Sequence, residues 1–140
     1  MEQKQLEANK EIVKRLINEG FNKNDLSLWD ELVSSDCILK TAPEGAAATR
    51  EGWKQNTTML HQAFPDIQAE IQSIVAEEDK VIVYETTTGT HQGAFAGVPA
   101  TGNLVSVPAF MMAQLKDGKI IAQWNLFDSG QIMAQLSVNS

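Results

Sequence analysis

Residues 67–91 read IQAEIQSIVAEEDKVIVYETTTGTH, and residues 104–127 read LVSVPAFMMAQLKDGKIIAQWNLF. Both stretches are rich in Val, Ile, Thr and aromatic residues and broken by short polar turns, which is the signature of hairpins. The first predicts strands at 67–76 and 80–91 around a turn at Glu77-Glu78-Asp79. The second predicts strands at 104–115 and 119–127 around Asp117-Gly118, a dipeptide suited to the tight turn of a two-residue hairpin. A Gly/Pro-rich loop, 93–102, joins the pairs. Pro108 inside the third strand implies an edge, a bulge or a kink, because it has no N–H for the ladder.

The period changes upstream of these strands. Leu6, Val13, Leu16, Ile17 and Phe21 recur at helical spacing and predict an amphipathic helix over 3–22. Asn24 or Asp25 is placed to cap a short helix over 26–33. Residues 37–41 predict a short strand. Thr49 predicts an N-cap for a helix carrying Trp53, Thr57, Leu60 and Phe64, stopped by Pro65-Asp66. Ser129 is placed to cap a last helix, 130–136. Helices first and an antiparallel meander after is an α+β pattern, with the helices on one face of a curved sheet. Residues 1–140 are expected to form a single domain.

Eleven Lys and Arg against eighteen Asp and Glu give a net charge of −7. That balance argues against nucleic acid and anionic membrane as partners, since both reward a basic surface. The charge is unevenly spread: residues 86–115 contain no Asp, Glu, Lys or Arg, and nothing after Asp128 is charged. The single cysteine, Cys37, forbids an internal disulfide and fits a reducing compartment. The polar N-terminus is unlike a signal peptide, and no stretch is apolar for long enough to span a bilayer. A cytoplasmic location is expected. Two histidines, His61 and His91, give no metal-ligand pattern, and no glycine loop of phosphate-cradling type precedes a helix.

Several segments together resemble the SnoaL-like polyketide cyclase family. They are Phe64-Pro65-Asp66-Ile67, Gly89-Thr90-His91-Gln92-Gly93-Ala94-Phe95, Gly97-Val98-Pro99-Ala100-Thr101-Gly102, and Asp117-Gly118-Lys119-Ile120 with Trp124 and Asp128. The resemblance covers almost the whole chain in the right order. It implies a cone-shaped α+β barrel of the nuclear-transport-factor-2-like superfamily, a deep pocket and a homodimer or higher homo-oligomer. It also implies cofactor-free intramolecular aldol cyclisation of polyketide esters, with an aspartate matching Asp128 as the acid/base. The superfamily hosts other enzymes and binding proteins, so fold alone does not set function. Relatives often carry Arg at the positions of Tyr84 and Gln114 and an acid at that of Ala122. All three are neutral here, which suits a more apolar ligand.

Asp128 is expected either to act as a pocket acid/base, its pKa raised by apolar neighbours, or to cap the last helix. His91 is expected either at the pocket rim, donating to a substrate oxygen, or as a loop histidine holding the 93–102 connection. His61, near a helix C-terminus, suits the dipole there. Tyr84, Gln114, Trp124, Met112, Phe110, Trp53 and Phe64 are the expected substrate-binding residues; the large apolar ones among them serve equally as core. Period two places Tyr84, Thr86 and Thr88 on one face. The function these residues suggest is acid–base chemistry on a small, apolar, carbonyl-containing molecule, by aldol-type cyclisation, isomerisation or hydrolysis. The alternative is a non-catalytic binding or scaffold module of the same fold.

Overall fold

The computed structural model describes residues 2–137; the expected domain bounds at residues 1 and 138–140 lie outside them. The elements run in the order α1 (Gln3–Arg15), a π-helical segment (Leu16–Phe21), α2 (Ser27–Leu32), β1 (Val33–Leu39), α3 (Arg50–Ala63), β2 (Gln68–Glu77), β3 (Lys80–Thr90), β4 (Leu104–Lys116), β5 (Lys119–Phe127) and α4 (Ser129–Leu136). The strands form one curved, unclosed sheet in the order β1-β5-β4-β3-β2. Its four long strands are the expected antiparallel meander. β1 pairs in parallel with β5, so the sheet is mixed.

Helical boundaries depart from the expectation in two places. The first helix remains α-helical only to Arg15; from Leu16 it widens to π geometry, with the Asn22 N–H on the Ile17 carbonyl at 2.9 Å. Such widening is uncommon and tends to occur at functional sites. Here it packs Gly20 against the Trp29 ring, where a Cβ would lie 3.0 Å from Cζ3. The short strand begins at Val33 rather than residue 37, because Val33 follows α2 directly and pairs with Ile120 of β5. Thr49 caps α3 as expected, its Oγ1 accepting from the Gly52 N–H at 3.1 Å.

Asp117 and Gly118 both take positive φ, 51° and 77°, the requirement of a two-residue primed turn. A bulge then changes the register. Leu115 pairs with Ile120, but Gln114 pairs with Ala122, leaving Ile121 as the extra residue on β5. Beyond it Ala113, Met111 and Ala109 stand beside Gln123, Asn125 and Phe127. Pro108 lies one residue past the last β5 pair, where no ladder bond is required of it on that side.

The core fills the concave side. Val13, Leu16, Trp29 and Leu32 from the helices meet Val33, Val81, Val83, Ala113 and Ile120 of the sheet. A second cluster joins Phe64 and Ile67 to Val105, Val107, Ile132 and Leu136, and so seats α4 on the end of β4. No helix of the described residues is long and apolar enough to cross a membrane.

Candidate functional site

Between the concave face and the helices lies a cavity of about 370 Å³, within the range of small-molecule sites. Its walls are apolar: Trp29, Trp53, Phe21, Phe64 and Met111 are among them. Trp29 and Trp53 meet edge to face at 5.9 Å. Thr41, after β1, and Asn56 and Thr57, on α3, contribute polar groups from the helical side, and the rest come from strand positions. Glu85 and Thr87 follow Val81 and Val83 at period two on β3, while Gln123 and Asn125 reach the same face through the β5 bulge.

Among the described residues, Glu85 is the one ionisable side chain of the lining. Its neighbours across the ladders are Ile71 on β2 and Ala109 on β4, neither able to donate a proton. Its Oε2 is buried with no hydrogen-bond partner. Burial alone pushes the carboxyl up to about 7, because the charged form is costly without water or a cation nearby. The Trp29 indole Nε1 is likewise buried without a partner.

The residues expected in the pocket separate into two groups. Trp53 and Phe64 line the cavity. Tyr84, Phe110, Met112, Gln114 and Trp124 do not: alternation along β3 and β4 puts the first four on the convex face, and the β5 bulge puts Trp124 there, where Tyr84 pairs with Phe110, Phe110 with Leu126, and Met112 with Trp124. Gln114 donates instead to the Asp79 carboxylate at 2.8 Å. Five of the seven expected substrate-binding residues thus lie outside the lining of this cavity. Asp128 is exposed at the N-terminus of α4 and accepts from the Gln131 N–H at 3.1 Å; Phe127, beside it, reaches the cavity.

His91 is fully buried outside the cavity wall. Its Nδ1 accepts from the Thr101 N–H at 3.2 Å and lies 3.0 Å from Thr101 Oγ1, so in the neutral ring Nε2 carries the proton. That atom has no partner. The main chain around it clamps both ends of the loop, through His91 N–H to Asn103 O and Gly102 N–H to His91 O. Its ring lies 5.5 Å from that of Phe64, which does line the cavity. Phe64 in turn presses on Gly89, where a Cβ would come within 2.9 Å of it. His61 donates from Nε2 to the Phe21 carbonyl at 2.7 Å and packs on the Phe21 ring, fixing the end of the π-helical segment.

Among the described residues no group of three or more His, Cys, Asp and Glu is arranged to hold a metal ion. What the cavity can do with its own side chains is exchange a proton at Glu85 and hydrogen-bond an oxygen through amides, inside a mostly apolar enclosure.

A family model described as SnoaL-like polyketide cyclase matches residues 11–136. Solved structures share the fold over nearly the whole chain. A candidate SnoaL-like polyketide cyclase from Jannaschia Sp. CCS1 is 27% identical, with a TM-score of 0.85 and coverage of 96% of this chain and 95% of that one. IdmH, a candidate polyketide cyclase from Streptomyces antibioticus, is 31% identical with a TM-score of 0.81, covering 93% and 99%. AclR, a candidate hydroxylase from Streptomyces galilaeus, is 30% identical with a TM-score of 0.82, covering 94% and 96%. No curated protein matches the chain significantly.

Proposed function

The chain belongs to the SnoaL-like polyketide cyclase family, and from that premise we propose that it is an acid–base enzyme acting on a small, apolar, carbonyl-containing molecule in the concave cavity. The observation that carries this reading is Glu85, a carboxyl with one buried, unpartnered oxygen on a wall that is otherwise almost wholly uncharged. A base that titrates near neutrality is half in each protonation state at working pH. It would take a proton α to the carbonyl and return it elsewhere. The amides of Gln123, Asn125 and Asn56 and the indole N–H of Trp29 are among the groups available to stabilise the enolate oxygen. Aldol closure and ketone isomerisation share this first demand, while in hydrolysis the same base would take its proton from the attacking water. The relatives described as cyclases support the choice of chemistry. Asp128 enters this proposal as a helix cap, and His91 as the clamp of the loop behind Phe64.

We further propose a homodimer or higher homo-oligomer formed through the convex face, on which Ile82, Phe110 and Leu126 are exposed. The buried, uncrosslinked thiol of Cys37 suits a reducing cytoplasm.

The test needs no knowledge of the natural substrate. The protein is incubated in D2O with hydrophobic ketones such as 2-tetralone, and α-deuteration is followed by NMR. Exchange above buffer that falls about a hundredfold or more in Glu85→Gln and persists in Asp128→Asn supports the reading. Exchange that needs Asp128 and not Glu85, or no exchange with any ketone, overturns it.

A further inference from the structure

A carboxyl with an unpaired oxygen in an aromatic-walled cavity has a natural complement that no catalytic reading requires. We infer that the cavity is a receptor for hydrophobic amines, with the ammonium group on Glu85 and the apolar body between the aromatic walls.

Three observations carry this. First, Glu85 Oε2 is buried and has no partner, so a donor from the ligand satisfies an acceptor that the protein leaves open. Second, among the described residues none that lines the cavity is Lys, Arg or His. β2 presents Ile71 and β4 presents Ala109 to Glu85, and α1, which packs on this part of the sheet, turns Asn9 and Val13 inward. A carboxylate or phosphate ligand would therefore meet one negative group and no positive one. Third, Trp29, Trp53, Phe21 and Phe64 supply aromatic surface on the same cavity, which suits the apolar body of such a ligand. A neutral ligand without a donor leaves Oε2 unpaired, and one with a hydroxyl satisfies the acceptor but not its charge. The inference concerns binding and does not depend on turnover, so its failure and the failure of α-proton exchange are separate results.

The test is calorimetric titration at pH 8 with a matched series: 2-naphthylmethylamine, 2-naphthylmethanol and 2-naphthoate. The amine is expected to bind about tenfold or more tightly than the alcohol, and the carboxylate most weakly. Glu85→Gln should abolish the amine's advantage and keep the alcohol's affinity. A pH series on the unmodified protein gives the same answer independently of that variant. Glu85 titrates near 7, and the amine stays protonated throughout. The amine's affinity should thus fall roughly a hundredfold from pH 8 to pH 5, while the alcohol's stays nearly flat. Naphthoate binding as well as the amine, an amine preference that survives in Glu85→Gln, a flat amine profile, or no binding by amine or alcohol would each overturn the inference.

Discussion

Ala109 on β4 stands directly across the ladder from Glu85 on β3, and Phe127 on β5 flanks the same alanine from the other side. The smallest side chain of this row thus sits between a carboxyl and an aromatic ring, and all three face the cavity. Ala109→Leu places a branched side chain in that space. The added carbons enter open volume rather than packed core, so the cost of overpacking, about 1–3 kcal/mol in a filled interior, should be largely absent. Thermal unfolding should shift little, while titration with an apolar ligand should show affinity lowered about tenfold or more. Unchanged affinity would mean that ligands do not reach this row.

Glu85 also sets a pH dependence of stability whose sign is unusual for a carboxylate. Its folded-state pKa, about 7, lies above the ordinary value of 4.5 because of burial. The folded state therefore holds its proton more firmly than the unfolded chain does. The associated stability is fully present below pH 4.5 and is lost as pH rises through 7. The full loss above pH 7 is about 2–3 kcal/mol, allowing for partial access of water to the cavity. Glu85→Gln removes the titration. The variant should gain stability relative to the unmodified protein at pH 8 and show no such gain at pH 4.5. Denaturant unfolding of both proteins at the two pH values checks this; a difference that is the same at both would exclude a buried, titrating Glu85.

Asp128 acts through the backbone of α4. Its side chain accepts from the Gln131 N–H, and Ile132 and Leu136 of the helix it starts lie in the cluster with Phe64 and Val107. Asp128→Ala should cost about 1 kcal/mol, the usual value of a lost N-cap. Asp128→Ser, which keeps an acceptor but no charge, should restore most of it. Both variants should retain cavity binding. If Ser fails to restore stability, or if both abolish binding while the helix remains intact by circular dichroism, the residue does more than cap.

These assignments show which parts of the site were legible in the residues alone. The elements, their order and the α+β class follow from periodicity and turn chemistry, because Thr49, Pro65 and Asp117-Gly118 act locally. The facing of β5 does not. A two-residue turn carried through without interruption would set Gln114 opposite Ile121; the single bulge moves it to Ala122 and turns Gln123 and Asn125 inward in place of Trp124. No local signal marks that bulge, since Lys119-Ile120-Ile121-Ala122 is plain strand sequence. Glu85 was readable. It shares parity with Val81 and Val83, both fully buried, and directly precedes the uncharged run that begins at residue 86. The π-helical segment reflects the packing of Gly20 on Trp29, a tertiary contact that helical spacing does not encode.

The convex face makes the last prediction. Ile82, Phe110 and Leu126 come from three neighbouring strands of one sheet, and Leu126 is 68% exposed. Phe110 lies against Tyr84, with ring centroids 4.8 Å apart, so the patch is continuous across β3, β4 and β5. Charged residues are absent from the whole of β4 before Lys116, so nothing on that strand discourages a second copy from covering it, and exposed apolar patches of this kind mark association surfaces. Light scattering should find a dimer or larger assembly at micromolar concentration. Leu126→Lys should shift it to monomer, because pairing the two copies would bury an uncompensated charge on each side. The side chain points away from the cavity, so ligand affinity per chain should change less than threefold, roughly the scatter expected of a surface substitution. A monomeric unmodified protein, or an assembly indifferent to Leu126→Lys, would assign the apolar face to some role other than self-association.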